Sequence, residues 1–392
     1  MSEKKNIAFL TPDLRSGGSE RVASRLTKLF SDKYNIYYII FDDTDKSYDV
    51  DAELINLNIP ATHNFVKKVF NLIKRAARIR RICKKKNIEV IFSFTPSSNI
   101  SLRFANPKCR WVGSCRGFED LCTNTADYHK MVETGGEILF NAREMEEYFK
   151  LKYPEDADKC HTIENLVDCQ RIVDMSKEEL TEEEQKFFDS HRVVSTVGIL
   201  SQHKGHWDLF KSFELLKEKV PDAGLVLVGH RGIFEEQLRD MAKRNKYADD
   251  ILLTGYSANP FKYVTKSDVY AMSSISEGFP NALIEAMTCR TAVVTTACAT
   301  GPAEILYDEY RVTRPTRWEK ADNGIITPVF DGIPDFDYEN KNWSHSQFAD
   351  ALAAMLTDDE MRKNYAEKGY RRAWKNDEAA ISDQYFAYIE ER

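Results

Sequence analysis

Two carboxylates, Glu277 and Glu285, stand with seven residues between them in Ser276-Glu-Gly-Phe-Pro-Asn-Ala-Leu-Ile-Glu285-Ala-Met287. The stretch follows an apolar run, Val269–Met272, that reads as a strand, so it forms a strand-to-helix loop. Pro280 is expected as the first helical residue, where a missing N–H costs nothing. The backbone N–H groups of Phe279, Asn281 and Ala282 would then face an anion at the helix N-terminus. Glu277 falls just before that helix and Glu285 about two turns inside it. A glutamate among Ala, Leu, Ile and Met is a buried hydrogen-bonding group, a group bound to a partner, or part of a solvated face.

Three other loops carry suitable chemistry. Gly198-Ile-Leu-Ser-Gln-His-Lys204-Gly205 places an ammonium at a helix entrance, where it can meet a phosphate. Val228-Gly229-His230-Arg231-Gly232 is a weaker candidate of the same kind. Pro12-Asp-Leu-Arg-Ser-Gly17-Gly18-Ser19-Glu20-Arg21 has paired glycines for close backbone approach, with Ser19 expected to cap the next helix. It is equally a plain Gly-rich turn, and it is not G-x-G-x-x-G, so the dinucleotide fingerprint is missing. None of the eight cysteines falls in C-x-x-C spacing, which excludes the usual zinc and thioredoxin patterns.

Elements must hold these loops in place. Strands are expected at Ile7–Thr11, Tyr34–Phe41, Val90–Phe94, Trp111–Ser114, Glu137–Phe140 and His161–Glu164, with helices at Ser19–Ser31 and Phe65–Lys86. Residues 168–190 read as an acidic linker. The alternation restarts with strands Arg192–Gly198, Gly224–Gly229, Ile251–Leu253, Val269–Met272 and Ala292–Thr295 and helices Trp207–Lys219, Phe234–Arg244 and Asn281–Thr288. From Ser344 onward the chain reads as helical. This rhythm implies α/β architecture with two successive Rossmann-like parallel-sheet domains. Ligands of such sheets sit at the C-terminal strand ends, and here the expected place is a cleft between the domains.

The motifs then resemble a known family. Glu277 and Glu285, within Glu-Gly-Phe-Pro-Asn and Glu-Ala-Met, are similar to the E-x7-E signature of retaining GT-B glycosyltransferases of family 4. Ser16-Gly-Gly-Ser-Glu-Arg-Val22 resembles that family's N-terminal loop. Thr162-Ile-Glu-Asn165-Leu-Val-Asp168 resembles its interdomain stretch, with Glu164 in place of proline. Gly198…Lys204-Gly205, Thr254-Gly255-Tyr256, Gly301-Pro-Ala-Glu-Ile-Leu306 and Asn323-Gly-Ile-Ile326 follow in the family's order.

The resemblance implies a GT-B fold, with residues 1–168 binding acceptor and 169–392 binding a nucleotide-sugar donor. The last helix, about 378–392, would pack back on the N-terminal domain. Glu285 would bond the donor ribose, and Glu277 would face the donor sugar and β-phosphate as a catalytic group. Phe279, Pro280 and Asn281 would line sugar or phosphate, Lys204 would neutralise the diphosphate, and Tyr256 would lie near the base. Gly17 and Gly18 would shape the acceptor and phosphate side. The implied reaction is retaining transfer of a hexose or N-acetylhexosamine, with UDP favoured, to a glycan or lipid-linked acceptor, without metal or cofactor. No Asp-x-Asp triplet occurs. The family commonly has Arg where Ile199 stands, and Arg231 or His203 would compensate. Arg116, after the Trp111–Ser114 strand, stands where many members place a His, and is a second catalytic candidate.

Of ten cations and no acid in residues 67–86, Lys67, Lys68, Lys74, Arg75, Arg78 and Arg81 are candidates to face an anionic membrane. Val66, Val69, Phe70, Ile73 and Ala77 share one face of that helix, which would otherwise pack on the sheet. Residues 1–150 carry a net charge of +6 and residues 151–392 carry −13, giving −7 overall. That balance and the thin aromatic interleaving argue against nucleic acid. With no signal-peptide core and no run long enough to span a bilayer, the expected location is the cytoplasm, peripheral to the inner face of the cell membrane. Two alternatives stand beside the transferase: a nucleotide-sugar epimerase on the same fold and a non-catalytic sugar-binding protein.

Overall fold

The computed structural model describes residues 4–15, 17–43 and 46–391. It divides into two units, Met1–Leu166 with Glu378–Arg392, and Val167–Asp377. The first holds strands β1 (Asn6–Thr11), β2 (Asn35–Ile40), β3 (Glu53–Asn56), β4 (Val90–Ser93), β5 (Arg110–Cys115), β6 (Glu137–Phe140) and β7 (Cys160–Thr162). All are parallel, in the order β3-β2-β1-β4-β5-β6-β7. Short β-rich runs buried on both faces, such as Ile7–Leu10, make the sheet's centre.

The second unit holds β8 (Arg192–Val197), β9 (Ala223–Val228), β10 (Ile251–Gly255), β11 (Val269–Met272), β12 (Ala292–Thr296), β13 (Glu319–Lys320) and β14 (Ile325–Thr327). Their order is β10-β9-β8-β11-β12-β14-β13, and only the two-residue edge strand β13 runs antiparallel. Two Rossmann-like α/β units are therefore present, as the alternating pattern implies.

The chain passes between units at Leu166, two residues before the expected boundary. Val167 N–H already bonds Asn376 O at 2.9 Å, and Cys169 N–H bonds Asp377 Oδ1 at 3.2 Å, so both ends of the second unit close on each other. Residues 168–190 are not a linker. They fold as helices Cys169–Met175 and Glu182–Ser190, the latter opened by a Thr181–Glu184 capping box. The helix Glu378–Glu390 belongs to the first unit: Tyr385 stacks edge-on against Phe30 and Phe92, and Glu378 pairs with Arg25.

The helix Phe65–Lys85 corrects one of the six membrane candidates, Arg75. The Arg75 guanidinium is buried, donating to Ile59 O at 3.0 and 2.7 Å, and Arg78 donates to Leu57 O. Both cations tether the helix to the chain after β3; Arg75 is thereby turned away from the surface, whereas Arg78 stays exposed. The face packed inward is Ala76, Ile79 and Cys83, while Val66, Val69, Phe70, Ile73 and Ala77 are exposed. No helix among the described residues is long and apolar enough to cross a membrane.

Candidate functional site

The C-terminal ends of β8, β9 and β10 are drawn together through backbone. Gly198 N–H donates to Val228 O at 3.1 Å, and Gly229 N–H donates to Gly255 O at 2.9 Å. A Cβ on Gly229 would lie 1.9 Å from Gly198 O, so only glycine permits the approach. Past β8, a 3₁₀ turn Gln202–Lys204 leads into Gly205 (φ 57°), which opens the helix His206–Lys219. A side chain on Gly205 would meet Ser273 O at 2.4 Å. That closeness lays the β8 loop on the β11 loop. Ser273 Oγ donates to Lys204 O at 2.8 Å, and Ile275 N–H donates to His203 O at 2.7 Å.

Lys204 Nζ thereby comes within 2.7 Å of Glu277 Oε1, which also accepts from Ser274 Oγ at 2.7 Å. The two charged side chains keep 21% and 15% of their surface exposed, so the pair is sheltered yet reachable. The Glu277 backbone is fixed from the β12 side: its N–H bonds Ala299 O at 2.9 Å, and Thr300 N–H bonds its carbonyl at 3.2 Å. Burial alone would depress the Lys204 ammonium. The Glu277 carboxylate outweighs it, and Lys204 titrates above its ordinary value. It is a permanent cation at neutral pH. Two residues on, burial pushes the His206 imidazole down to about 3, helped by the charge on Lys204.

Pro280 is not the first helical residue. It holds extended backbone (φ −76°, ψ 96°) as the N-cap, and the helix runs Asn281–Thr288. Its ring is committed to the loop: a Cβ on Gly301 would lie 2.5 Å from Pro280 Cδ, so the ring lies close against Gly301. The Pro280 carbonyl accepts from Leu283 N–H at 3.1 Å. Phe279 is buried, which leaves only its backbone for a ligand. Glu285 is half-buried, and its charge acts on Lys204 and Tyr270.

At the mouth of β9 and β10, Tyr256 is 70% exposed with its ring 4.6 Å from that of His230. Arg231 adopts positive φ (55°), its N–H held by Glu235 Oε2 at 2.7 Å and its side chain exposed. The second unit therefore carries Lys204, Arg231, Tyr256, Glu277, Phe279 and Pro280 on the loops after β8, β9, β10 and β11, with Asn281 and Glu285 on the helix that follows the last of these loops.

Residues 177–331 match the family model described as glycosyl transferases group 1. The chain is a glycosyltransferase. It is 24% identical over 387 residues to an uncharacterized glycosyltransferase of Methanocaldococcus jannaschii, covering 93% of this chain and 94% of that one. It is 25% identical over 401 residues to the N-acetylgalactosamine-N,N'-diacetylbacillosaminyl-diphospho-undecaprenol 4-alpha-N-acetylgalactosaminyltransferase of Campylobacter jejuni, covering 98% and 99%. Among solved structures, Anabaena HepE in complex with UDP and glucose superposes with a TM-score of 0.73 at 17% identity, over 99% of this chain and all of that one.

In the first unit of the enzyme, Arg116 follows β5 and donates to Asn165 Oδ1 and, at 3.4 Å, to Ser114 Oγ. Asn165 thus has a local task beside the motif that singled it out. Gly17 is the N-cap of the helix Gly18–Phe30, so Ser19 is already its second residue and makes no cap. The reason is Glu20: its carboxylate folds back over Gly17, 2.1 Å from where a Cβ would be. Ser16 lies outside the described residues. Sequence reasoning missed Ser274 and Thr300, which hold Glu277 and Gly278. Their signal was weak: a Ser-Ser pair after one strand and a lone Thr after the next.

Proposed function

We propose that the enzyme transfers a hexose or N-acetylhexosamine, with retention and without a metal, from a UDP-sugar to a glycan or lipid-linked acceptor in surface glycoconjugate synthesis. It would work as a peripheral protein at the inner face of the cell membrane. The observation that carries this reading is the sheltered Lys204–Glu277 pair at the strand ends of the second unit.

A diphosphate arriving there meets an ammonium already protonated and already positioned, so little reorganisation is needed. As the bond from the anomeric carbon to the leaving phosphate breaks, negative charge grows on that phosphate, and Lys204 with the N-terminus of Asn281–Thr288 offsets it. The acceptor oxygen bonds the anomeric carbon on the same face, and its proton passes to the departing phosphate oxygen. Glu277 is released from Lys204 by the diphosphate and stays tied to Ser274, facing the sugar. Glu285 binds ribose, Tyr256 and His230 offer ring faces to the base, and exposed Arg231 supplies the second cation that Ile199 does not. The relative with UDP and glucose bound supports the donor class, and the relative named for an undecaprenol-linked glycan supports the acceptor class.

The test is nucleotide release from UDP-Glc, UDP-Gal, UDP-GlcNAc, UDP-GalNAc and GDP-Man, with EDTA present throughout. Release from at least one UDP-sugar, with no epimer formed, is expected. Epimer without release, or release abolished by EDTA, refutes the reading.

A further inference from the structure

We propose that Arg314 is a donor-site cation: it meets the sugar-bearing phosphate from the β12 side, while Arg231 meets the nucleoside-bearing phosphate. The inference rests on the nucleotide-sugar reading proposed above and deepens it. Arg314 lies between the stretches Gly301–Leu306 and Asn323–Ile326, outside every motif.

The fold carries this residue to the site. The helix Pro302–Leu306 runs down to the N-terminal end of the sheet, where Leu306 O accepts from Asn323 N–H at 3.0 Å just before β14 begins. The chain must then climb again, because β13 is antiparallel to β14 and starts beside that strand's C-terminal end. Residues 307–318 make the climb as an irregular strap, pinned on both sides of Arg314. Tyr307 OH and Thr313 Oγ1 donate to Glu319 Oε1 at 2.6 and 3.3 Å. Trp343 Nε1 donates to Thr316 O at 2.8 Å, and Trp318 N–H donates to Gln347 Oε1 at 3.0 Å.

Arg311, Arg314 and Arg317 are all exposed on the strap. Arg311 lies 3.4 Å over the Tyr307 ring and Arg317 6.0 Å over that of Trp343, so both charges rest on the strap's own moorings. Arg314 donates to Thr313 O at 2.8 Å, and its charge reaches the loop after β12. There burial and the Glu277 carboxylate push the buried Cys298 thiol up, while Thr296, Lys204 and Arg314 pull it down. One thiol thus feels the Lys204–Glu277 pair and Arg314 together. The same loop fixes Glu277 through Ala299 O and Thr300 N–H.

Sheet order separates the two arginines. Strands β8 and β11 are neighbours, with β9 beyond β8 and β12 beyond β11. Arg231 therefore flanks Lys204 on the β9 side, and Arg314 flanks Glu277 on the β12 side. With the sugar facing Glu277, the phosphate nearest Arg314 is the one whose bond to the anomeric carbon breaks. Negative charge grows on that phosphate, and a guanidinium held in place offsets it with a fork that matches two oxygens.

The experiment is calorimetry with UDP and with UMP, alongside nucleotide release from the UDP-sugar that the enzyme accepts. Arg314→Gln should lower UDP affinity about tenfold or more, leave UMP affinity unchanged and lower kcat for release. The retained UMP affinity shows that the variant is folded. Arg314→Lys should recover part of the loss, since the charge returns without the fork. Arg231→Gln should weaken UDP and UMP alike. Arg317→Gln removes the same charge three residues further on and should change neither affinity. Four results would each overturn the inference and leave the transferase reading standing: equal loss of UDP and UMP in Arg314→Gln, no loss of either, the same loss in Arg317→Gln, or an Arg231→Gln effect confined to UDP. A wild type that binds neither nucleotide overturns both.

Discussion

The loops after β1 and β8 occupy the same place in two sheets whose first five strands share one order, and they carry opposite charges. Each strand is third in its sheet, and each leads to a helix whose N-cap is a glycine with no side-chain cap, Gly17 and Gly205. After β1 the helix N-terminus already has its anion, because Glu20 folds over Gly17. After β8 the chain supplies a cation, Lys204, against a carboxylate from another loop. A helix N-terminus satisfied by its own carboxylate repels a phosphate, whereas one fronted by an ammonium attracts it. Under the proposed function, the diphosphate would belong at the second loop and the first would be left for a hydroxyl-bearing group.

The largest break in that comparison should come from Glu277→Ala. With the carboxylate gone, Lys204 loses its partner and, on the proposed function, the donor sugar would lose its facing group. We expect kcat for nucleotide release to fall about 10²–10³-fold with donor affinity little changed, on the scale of a lost transition-state contact. Loss of affinity with turnover intact would misplace Glu277. Glu285→Ala should do the reverse. Losing charge-assisted bonds to ribose hydroxyls weakens donor binding about tenfold or somewhat more, readable by calorimetry with UDP, while saturated kcat changes less.

How far these groups were legible in the sequence follows from distance along the chain. Glu277 and Glu285 lie on one loop and helix, so their spacing was informative. Lys204 and Glu277 are 73 residues apart, and only the pairing of β8 with β11 makes them neighbours. Buried strands such as Val269–Met272 were readable because both faces are apolar. Strand β3, Glu53–Asn56, was not, since as an edge strand it carries polar residues and none of its residues is buried. The helix Pro96–Ala105 was hidden by its serines, which make a capping box with Thr95. In Phe65–Lys85 the periodicity fixed the helix but not its inward side. Two apolar arcs exist, and the three tethers to residues 57–60 choose between them.

A smaller effect should sharpen the first loop. Burial, with a contribution from Asp13, raises the Glu20 carboxyl above its ordinary value, against the pull of its own backbone hydrogen bond and of Arg116. A carboxyl whose folded pKa is raised adds stability only when protonated, and that contribution is lost as pH rises through the folded value. At neutral pH the charged Glu20 therefore costs stability. Glu20→Gln should raise Tm by about 1–3 °C at pH 7 and leave it unchanged near pH 4, where the native residue is already neutral. Transfer to acceptor should fall while donor affinity holds. A variant that gains stability and loses nothing would make Glu20 a mere filling of the turn.

The smallest change concerns His206, beneath the second loop. Its folded pKa lies far below 6.5, at about 3, because burial and Lys204 both disfavour the imidazolium. The unfolded chain binds this proton below pH 6.5 and the folded chain does not, so the contribution is complete above 6.5 and shrinks as pH falls toward 3. The slope for one such group is about 1.4 kcal/mol per pH unit. His206→Gln should lower stability modestly at pH 7.5, through lost packing, and flatten the fall between pH 6 and 4.5 in urea titrations. The same comparison made on the first loop must show no such flattening, because Glu20 pulls in the opposite direction. If His206→Gln leaves the slope unchanged, the imidazole is not held neutral, and its burial beneath the second loop does not carry the shift.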